Sequence, residues 1–244
     1  MDRPAASRPA FYALSPGGWR DLVTILHPPY TAWHLSYVAI GAALAPSFVL
    51  WRLGAALGAF LLALGVAAHA LDELSGRPLG TRLSDTTLIV MATLGLGGAV
   101  AIGIVGAVIL SAWLIPLVVL GVFIALAYNL ELFGGRFHTD FWFAAAWGGF
   151  PAFTGWFVEA LDVRVECVLI AFTCFLLSVA QRRLSHPARE LRRRTLAVTG
   201  TQTLRDGETR ALDIDRLLAP LETTLSALAV AIVVLAVTLV LRRL

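Results

Sequence analysis

The chain has 244 residues, of which 58% are hydrophobic and only 14% are charged. Soluble domains are nearer half apolar and a quarter charged, so this composition excludes an ordinary soluble protein, and the mean hydropathy of +0.79 agrees. All 19 basic residues are arginine. Because the arginines lie mainly in loops between apolar segments, we attribute the pI near 9.3 to membrane topology and expect no nucleic-acid partner.

Residues 1–29 form a polar N-terminal segment that precedes the first long apolar stretch. It lacks the short apolar core and small-residue cleavage site of a secretory signal peptide. Residues 10–27 mix aromatic and aliphatic side chains with Arg20 and Asp21, a pattern typical of a helix lying on the membrane surface. We therefore divide the chain into this segment and a transmembrane helical domain at 30–244.

The remaining chain contains seven apolar stretches that approach the 17–25 residues needed to cross a bilayer. The predicted fold class is therefore all-α, a polytopic transmembrane helical bundle of about seven spans. The predicted helices are 30–50, 53–71, 86–107, 108–128, 141–160, 165–180 and 217–241. Pro116 predicts a kink in the fourth helix. Cys167 and Cys174 share one helix face two turns apart, so we expect packing residues rather than a disulfide.

The distribution of arginine predicts the orientation of this bundle. With the N-terminus in the cytoplasm, all but four arginines fall on the cytoplasmic side, as the positive-inside rule requires. The exceptions are Arg52, Arg164, Arg242 and Arg243. The densest basic cluster then lies in a cytoplasmic loop at 181–216. We expect a multi-pass protein of the inner (plasma) membrane whose polar loops are mainly cytoplasmic.

The first polar loop follows the second predicted helix and contains His69, Asp72 and Glu73. His69 and Glu73 are four residues apart, so they share a helix face with Asp72 alongside. Ionisable groups near a membrane are costly and often functional, and carboxylates suit Mg²⁺ that bridges substrate phosphates. The residues alone leave two interpretations open: a metal or phosphate site, or an interfacial helix end that pairs with Arg77 and Arg82.

The second polar loop, at 128–140, contains Gly134-Gly135, which permits a tight turn. Thr139 or Asp140 is a candidate N-cap for the fifth helix. Arg136 is a candidate phosphate ligand. The alternative is an ordinary interfacial turn held by its aromatic residues.

The third polar loop, at 181–196, is rich in arginine and has no carboxylate before Glu190. One interpretation is an anchor to anionic lipid headgroups, to which each arginine contributes about 1 kcal/mol. The other is a wall that holds phosphate, because guanidinium forks match phosphate oxygens. The two interpretations are compatible.

His27 and His34 flank the start of the first predicted helix. We interpret each as an interfacial or packing histidine rather than a ligand. The sequence shows no Ser-His-Asp arrangement, no glycine-rich nucleotide loop and no Cys/His metal spacing.

Taken in order, these segments resemble the UbiA superfamily of intramembrane prenyltransferases over residues 26–200. The similar segments are His27-Pro28-Pro29-Tyr30, Gly76-Arg77-Pro78-Leu79, Tyr128-Asn129 to Gly135-Arg136, Trp147-Gly148-Gly149-Phe150-Pro151, and Arg193-Arg194-Thr195-Leu196. Members of that superfamily bind a prenyl diphosphate through Mg²⁺ held by two aspartate-rich motifs. They transfer the prenyl group inside a helix-walled cavity.

The resemblance implies roles for particular residues. Asp72 and Glu73 would be the catalytic and metal-binding carboxylates, with His69 as an auxiliary ligand or base. The implied substrate-binding residues are Arg77, Arg82, Tyr128, Asn129, Arg136, Arg189, Arg193 and Arg194. The implied ligand is a prenyl diphosphate or another isoprenoid lipid, and the implied cofactor is Mg²⁺.

This sequence departs from the family pattern at both motifs. The first motif reads His69, Glu73 and Arg77, and the two aspartates of the second fall at Leu184 and Ala188. Losing one metal clamp on a diphosphate leaving group costs several kcal/mol of transition-state stabilisation. An arginine-assisted prenyltransferase or UbiA-type terpene cyclase therefore stays open beside a non-catalytic protein that binds an isoprenoid or quinone or serves as a partner subunit. A transporter is disfavoured, since the helix middles hold almost no ionisable residues.

Overall fold

The computed structural model describes residues 8–244, so the first seven residues of the predicted N-terminal segment lie outside the described residues. Residues 8–244 form a helical bundle. Its helices are α1 (Trp19–Ile25), α2 (Pro28–Leu44), α3 (Leu50–Leu74), α4 (Asp85–Ile109), α5 (Leu114–Asn129), α6 (140–160), α7 (Val165–Arg193) and α8 (Ile214–Leu241). A small antiparallel hairpin, β1 (Gly200–Thr203) and β2 (Thr209–Leu212), lies between α7 and α8.

Four of these helices, α3, α4, α7 and α8, are long and apolar enough to cross a membrane. Helix α5 is apolar but has only 16 residues, which span about 24 Å at 1.5 Å per residue. The structure thus confirms the predicted all-α fold class, and its four long apolar helices are consistent with a membrane protein. The sequence predicted about seven spans, whereas four helices among the described residues meet the criteria of length and hydropathy.

Two segments differ from the sequence-based prediction. The interfacial helix expected at 10–27 is restricted to Trp19–Ile25, because Pro16 and the Gly17-Gly18 pair interrupt it. Helix α7, expected to end at 180, continues to Arg193. Strong helix formers such as alanine, arginine and leucine dominate residues 188–193 and carry the helix past Pro187.

Helix ends follow ordinary capping chemistry. Ser84, Thr139 and Asp213 accept hydrogen bonds from the backbone N–H groups at the starts of α4, α6 and α8. The prediction of Thr139 as the α6 N-cap is confirmed. Pro116 lies in the first turn of α5, where its missing N–H leaves no helical bond unmade, so it does not kink the helix.

Two helices contain a π-helical segment. In α3 it covers Leu61–Ala68, between α-helical Leu50–Phe60 and His69–Leu74. In α6 it covers Ala145–Gly149, between Asp140–Ala144 and Phe150–Ala160. Such segments often occur at functional sites, and both lie beside the cavity described below.

Helices α2 and α6 pack with almost no space between their backbones. An added Cβ at Gly41 would lie 2.0 Å from the Ala152 carbonyl oxygen, and one at Gly155 would lie 2.1 Å from the Val38 carbonyl oxygen. Both glycines are therefore required by backbone contact. Cys167 and Cys174 are buried and free, as predicted for packing residues.

Alanine at Gly41 or Gly155 should destabilise the folded protein by about 1–3 kcal/mol, because no side-chain rotation relieves a clash with a backbone oxygen. Thermal unfolding of the detergent-solubilised protein measures the loss. Gly54→Ala is the matched control, since nothing lies within 4 Å of its added Cβ; it should raise stability slightly. Equal effects at all three positions would contradict the packing argument.

Candidate functional site

The helix ends nearest the three polar loops enclose a cavity of about 470 Å³. This volume falls in the range of small-molecule sites. The wall is built from the ends of α3, α5 and α7, the starts of α2, α6 and α8, and residues 9–12. Segments far apart in the sequence therefore meet at one end of the bundle.

Many of the predicted site residues meet in this cavity. They come from the ends of three helices, α3, α5 and α7, and two of them, Tyr128 and Asn129, are buried. The predicted residues that line the cavity are His69, Asp72, Tyr128, Asn129, Arg189, Arg193 and Arg194.

Glu73 does not line the cavity. Its side chain is 1% exposed, and one carboxylate oxygen accepts a hydrogen bond from the Leu79 N–H at 2.9 Å. The other accepts from the Thr81 N–H at 2.8 Å and from the Thr81 hydroxyl at 2.9 Å. Both carboxylate oxygens are thus engaged by the loop that follows α3.

Three predicted arginines also lie away from the cavity. Arg77 donates to the Leu83 carbonyl oxygen and pairs with Asp85. Arg82 is exposed, and its backbone N–H donates to buried Asp21 at 3.0 Å. Arg136 is exposed in the loop after α5.

The last turns of α7 supply a basic wall to the cavity. Arg182 donates to Asp140 at 2.8 Å, and this hydrogen bond holds the pKa of Asp140 below its ordinary value. Arg192 pairs with Glu222, and Arg193 donates to the Pro9 carbonyl oxygen at 3.0 Å. Arg189 differs, because it makes no hydrogen bond or ion pair within residues 8–244.

Asp72 faces the same cavity. Within the described part of the chain its carboxylate makes no hydrogen bond and no ion pair closer than 4 Å. The cavity thus contains an unpaired carboxylate and an unpaired guanidinium. No group of three His, Cys, Asp or Glu side chains among the described residues is arranged to hold a metal ion, so a Mg²⁺ ion bound here would take most of its ligands from water and substrate.

Residues 8–14 form an N-terminal strap, and residues 9–12 of it line the cavity, a contact that the sequence did not predict. The Tyr12 hydroxyl contacts His27 Nδ1 at 2.6 Å, and the Leu14 N–H donates to Thr24 at 3.0 Å. Phe11 and Tyr12 meet Tyr30 edge to face. Burial raises the pKa of the Tyr12 phenol above its ordinary value, so this hydroxyl is neutral and a hydrogen-bond donor.

All five histidines of the chain line the cavity, and two of them, His27 and His34, we had interpreted as interfacial or packing residues. His27 stacks on His69 with ring centroids 4.1 Å apart. His34 Nδ1 bonds the Trp147 carbonyl oxygen at 2.7 Å, and His69 Nδ1 bonds the Gly65 carbonyl oxygen at 3.1 Å. The sequence signal was the seven-residue spacing, which places His27 and His34 two helical turns apart.

No protein-family model, curated protein or solved structure matches this chain. The resemblance to the UbiA superfamily stays a hypothesis based on motifs.

Proposed function

We propose that this chain is a divergent UbiA-like membrane protein that holds an isoprenoid diphosphate in the cavity. The observation that carries the proposal is Arg189, a partly buried guanidinium that lines the cavity and makes no hydrogen bond or ion pair closer than 4 Å among the described residues. A buried charge without a directly bonded partner is strongly unfavourable. A ligand that brings negative charge removes this penalty.

A phosphate group suits the basic wall better than a carboxylate does. Arg193 and Arg194 line the mouth beside Arg189, so one ligand phosphate can accept several charge-assisted hydrogen bonds. Guanidinium forks match phosphate oxygens in geometry, and such bonds are about twice as strong as neutral ones. The diphosphate therefore binds at the mouth.

The deeper wall suits a hydrocarbon chain. Leu64 and Ala68 of α3, Phe143 and Trp147 of α6, and Leu225 of α8 line the cavity. Burial of apolar area against these side chains stabilises a bound isoprenoid chain by about 25 cal/mol per Å². The ligand is therefore an amphiphile with an anionic head and an apolar chain.

This proposal includes a membrane topology. In this topology, α2, α5 and α6 cross the inner (plasma) membrane together with the four long helices, which gives a bundle of about seven spans. The N-terminus and the arginine-rich mouth face the cytoplasm, in accord with the positive-inside rule. The diphosphate then enters from the side on which water-soluble phosphates are available.

Ligand-induced stabilisation tests the proposal. Farnesyl or geranylgeranyl diphosphate should raise the melting temperature of the purified protein in excess EDTA, because binding to the folded state stabilises it by mass action. Inorganic pyrophosphate, which lacks the chain, should raise it less. Absence of a shift with both prenyl diphosphates would contradict the proposal.

The second candidate function is catalysis, as a prenyltransferase or terpene cyclase. Unpaired Asp72 in the same cavity favours it. A bound Mg²⁺ ion would neutralise charge on the departing diphosphate. Asp72 would hold that ion together with diphosphate oxygens and water, since Mg²⁺ commonly takes one or two carboxylates with substrate phosphates. Here Arg189 and Arg193 replace part of the missing second motif, and Glu73 holds the loop rather than the ion.

Asp72→Asn should remove the additional stabilisation that Mg²⁺ gives with farnesyl diphosphate, and leave the shift in EDTA unchanged. Pyrophosphate release, if the wild type shows it, should fall to background, because Asp72 is the carboxylate proposed to hold the Mg²⁺ ion. Glu166→Gln, at an exposed position at the start of α7, is the control. An undiminished Mg²⁺ effect in Asp72→Asn would remove the metal role from Asp72.

A further inference from the structure

The cavity contains hydrogen-bonding atoms that a diphosphate at the mouth does not use. Two buried side-chain atoms in its wall, His27 Nε2 and Gln181 Oε1, have no hydrogen-bond partner among the described residues. A buried polar atom without a partner costs free energy, and in native proteins such an atom usually faces water or a ligand. These two atoms therefore indicate a second polar subsite.

The hydrogen bonds around His27 fix which of its ring nitrogens carries the proton. Within the described residues the Tyr12 hydroxyl has one hydrogen-bond partner, His27 Nδ1, at 2.6 Å. If Tyr12 donates, its hydrogen is satisfied and His27 carries its proton on Nε2. The reverse arrangement would leave the Tyr12 hydrogen without an acceptor. His27 therefore presents an Nε2–H donor that has no acceptor among residues 8–244.

His69, in contrast, presents a hydrogen-bond acceptor at Nε2. Its Nδ1 lies 3.1 Å from the Gly65 carbonyl oxygen, which can only accept, so Nδ1 carries the proton. The Nε2 atom of His69 is then a bare acceptor. Because the His27 and His69 rings are stacked, a donor and an acceptor stand side by side in the wall, with the amide oxygen of Gln181 as a further acceptor.

The subsite is also uncharged. Because the Tyr12 hydroxyl donates to Nδ1, His27 carries a single ring proton and is a neutral imidazole. A neutral donor beside neutral acceptors suits an uncharged oxygen and is poorly suited to a phosphate, which the arginines already satisfy at the mouth.

We propose that His27, His69 and Gln181 form a subsite for the hydroxyl group of an uncharged lipid alcohol. A single hydroxyl group accepts a hydrogen bond from His27 Nε2 and donates one to His69 Nε2 or to the Gln181 oxygen. It therefore satisfies both the unpaired donor and an unpaired acceptor. This inference rests on the proposed function in one respect, because both ligands would occupy the same cavity and contact the same apolar side chains.

The test uses three uncharged probes with the same chain: farnesol, its methyl ether, and the corresponding hydrocarbon. Their affinities are measured by thermal-shift titration of the full chain in lipid nanodiscs, where membrane partitioning of each probe is the same for every variant. The wild type should bind farnesol about 10-fold more tightly than the hydrocarbon. The ether, which accepts but does not donate, should lie between them.

Three variants locate the effect. His27→Phe keeps a ring for stacking but removes the donor, so the advantage of farnesol should disappear while farnesyl diphosphate affinity stays within about threefold. His27→Gln restores an N–H donor and should restore the preference. His186→Phe is the matched control, because His186 also lines the cavity but is exposed and is not one of the subsite residues; its loss should leave the preference for farnesol unchanged. Melting of each unliganded variant verifies that it is folded.

Each outcome decides between the two proposals. The wild type could bind a prenyl diphosphate and yet show no preference for farnesol over the hydrocarbon. In that case His27 Nε2 and Gln181 Oε1 bind only water, and this inference is overturned. A preference that survives in His27→Phe also overturns it. If farnesol binds in a His27-dependent way and no prenyl diphosphate binds, the subsite stands and the diphosphate proposal fails.

Discussion

Farnesyl diphosphate affinity should fall by about 10- to 100-fold when Arg189 is replaced by glutamine. Arg189 lines the cavity and has no hydrogen-bond or ion-pair partner in the protein within residues 8–244, so its whole hydrogen-bonding capacity is available to a ligand. Hydrogen bonds to charged groups contribute about 1.5–3 kcal/mol each, which corresponds to this loss. Thermal-shift titration in EDTA measures it.

The same substitution should have the opposite effect on the unliganded protein. Removing a partly buried, unpaired charge relieves a desolvation penalty, so the melting temperature without ligand should rise by a few degrees, about 2–4 °C per kcal/mol at this chain length. Arg183→Gln is the control, since Arg183 is exposed and does not line the cavity. If Arg189→Gln binds farnesyl diphosphate as tightly as the wild type, the arginine wall does not hold the phosphate.

The helices were predictable because apolar length and capping chemistry are local properties. The start of α4 at Asp85 follows the Ser84 cap, and the apolar run after it continues to Ile109. The end of α7 was not predictable from apolar length, since its last residues, up to Arg193, form a helix without being apolar. The π-helical segment of α3 has no signature that length or composition reveals.

The arginines of the cavity were predictable as a group but not one by one. All of Arg182, Arg189, Arg192 and Arg193 lie on the last turns of one helix, and their number alone suggested phosphate or lipid binding. Which of them is free depends on partners from distant segments. Asp140 engages Arg182 across 42 residues and Glu222 engages Arg192 across 30. Such pairings follow from the tertiary structure.

The histidine subsite was missed for the same reason. His27 gains its character from Tyr12, 15 residues earlier in the strap, and from stacking on His69 of another helix. Sequence alone assigned His27 and His34 the commoner role of packing residues. An unpaired Nε2 atom is visible only when all neighbouring donors and acceptors are placed.

Glu73 and Asp72 are adjacent in sequence, and the resemblance implied that both bind Mg²⁺. The structure places their side chains in different surroundings. Asp72 faces the cavity, whereas the Glu73 carboxylate is buried under the loop after α3. That loop curls around Glu73 through Gly76 and Gly80, both at positive φ, a conformation that glycine adopts without strain. The two residues should therefore respond differently to substitution.

Glu73→Ala should destabilise the folded protein by about 3–5 kcal/mol and lower its melting temperature by about 10 °C. The substitution leaves the Leu79 N–H, the Thr81 N–H and the Thr81 hydroxyl without their acceptor, and each unsatisfied buried group costs about 1–3 kcal/mol. Asp72→Ala is the matched control from the neighbouring position, and its unliganded melting temperature should stay close to that of the wild type.

The pair of variants also separates a loop anchor from a metal ligand. If Glu73 anchors the loop, the Mg²⁺-dependent stabilisation by farnesyl diphosphate persists in Glu73→Ala, measured at a temperature where the variant is folded, and disappears in Asp72→Ala. If Glu73 binds the ion as the motif resemblance implies, Glu73→Ala keeps its unliganded stability and loses the Mg²⁺ effect. The three hydrogen bonds from Leu79 and Thr81 favour the first result, because a carboxylate with both oxygens occupied by buried donors must break those bonds before it can coordinate Mg²⁺.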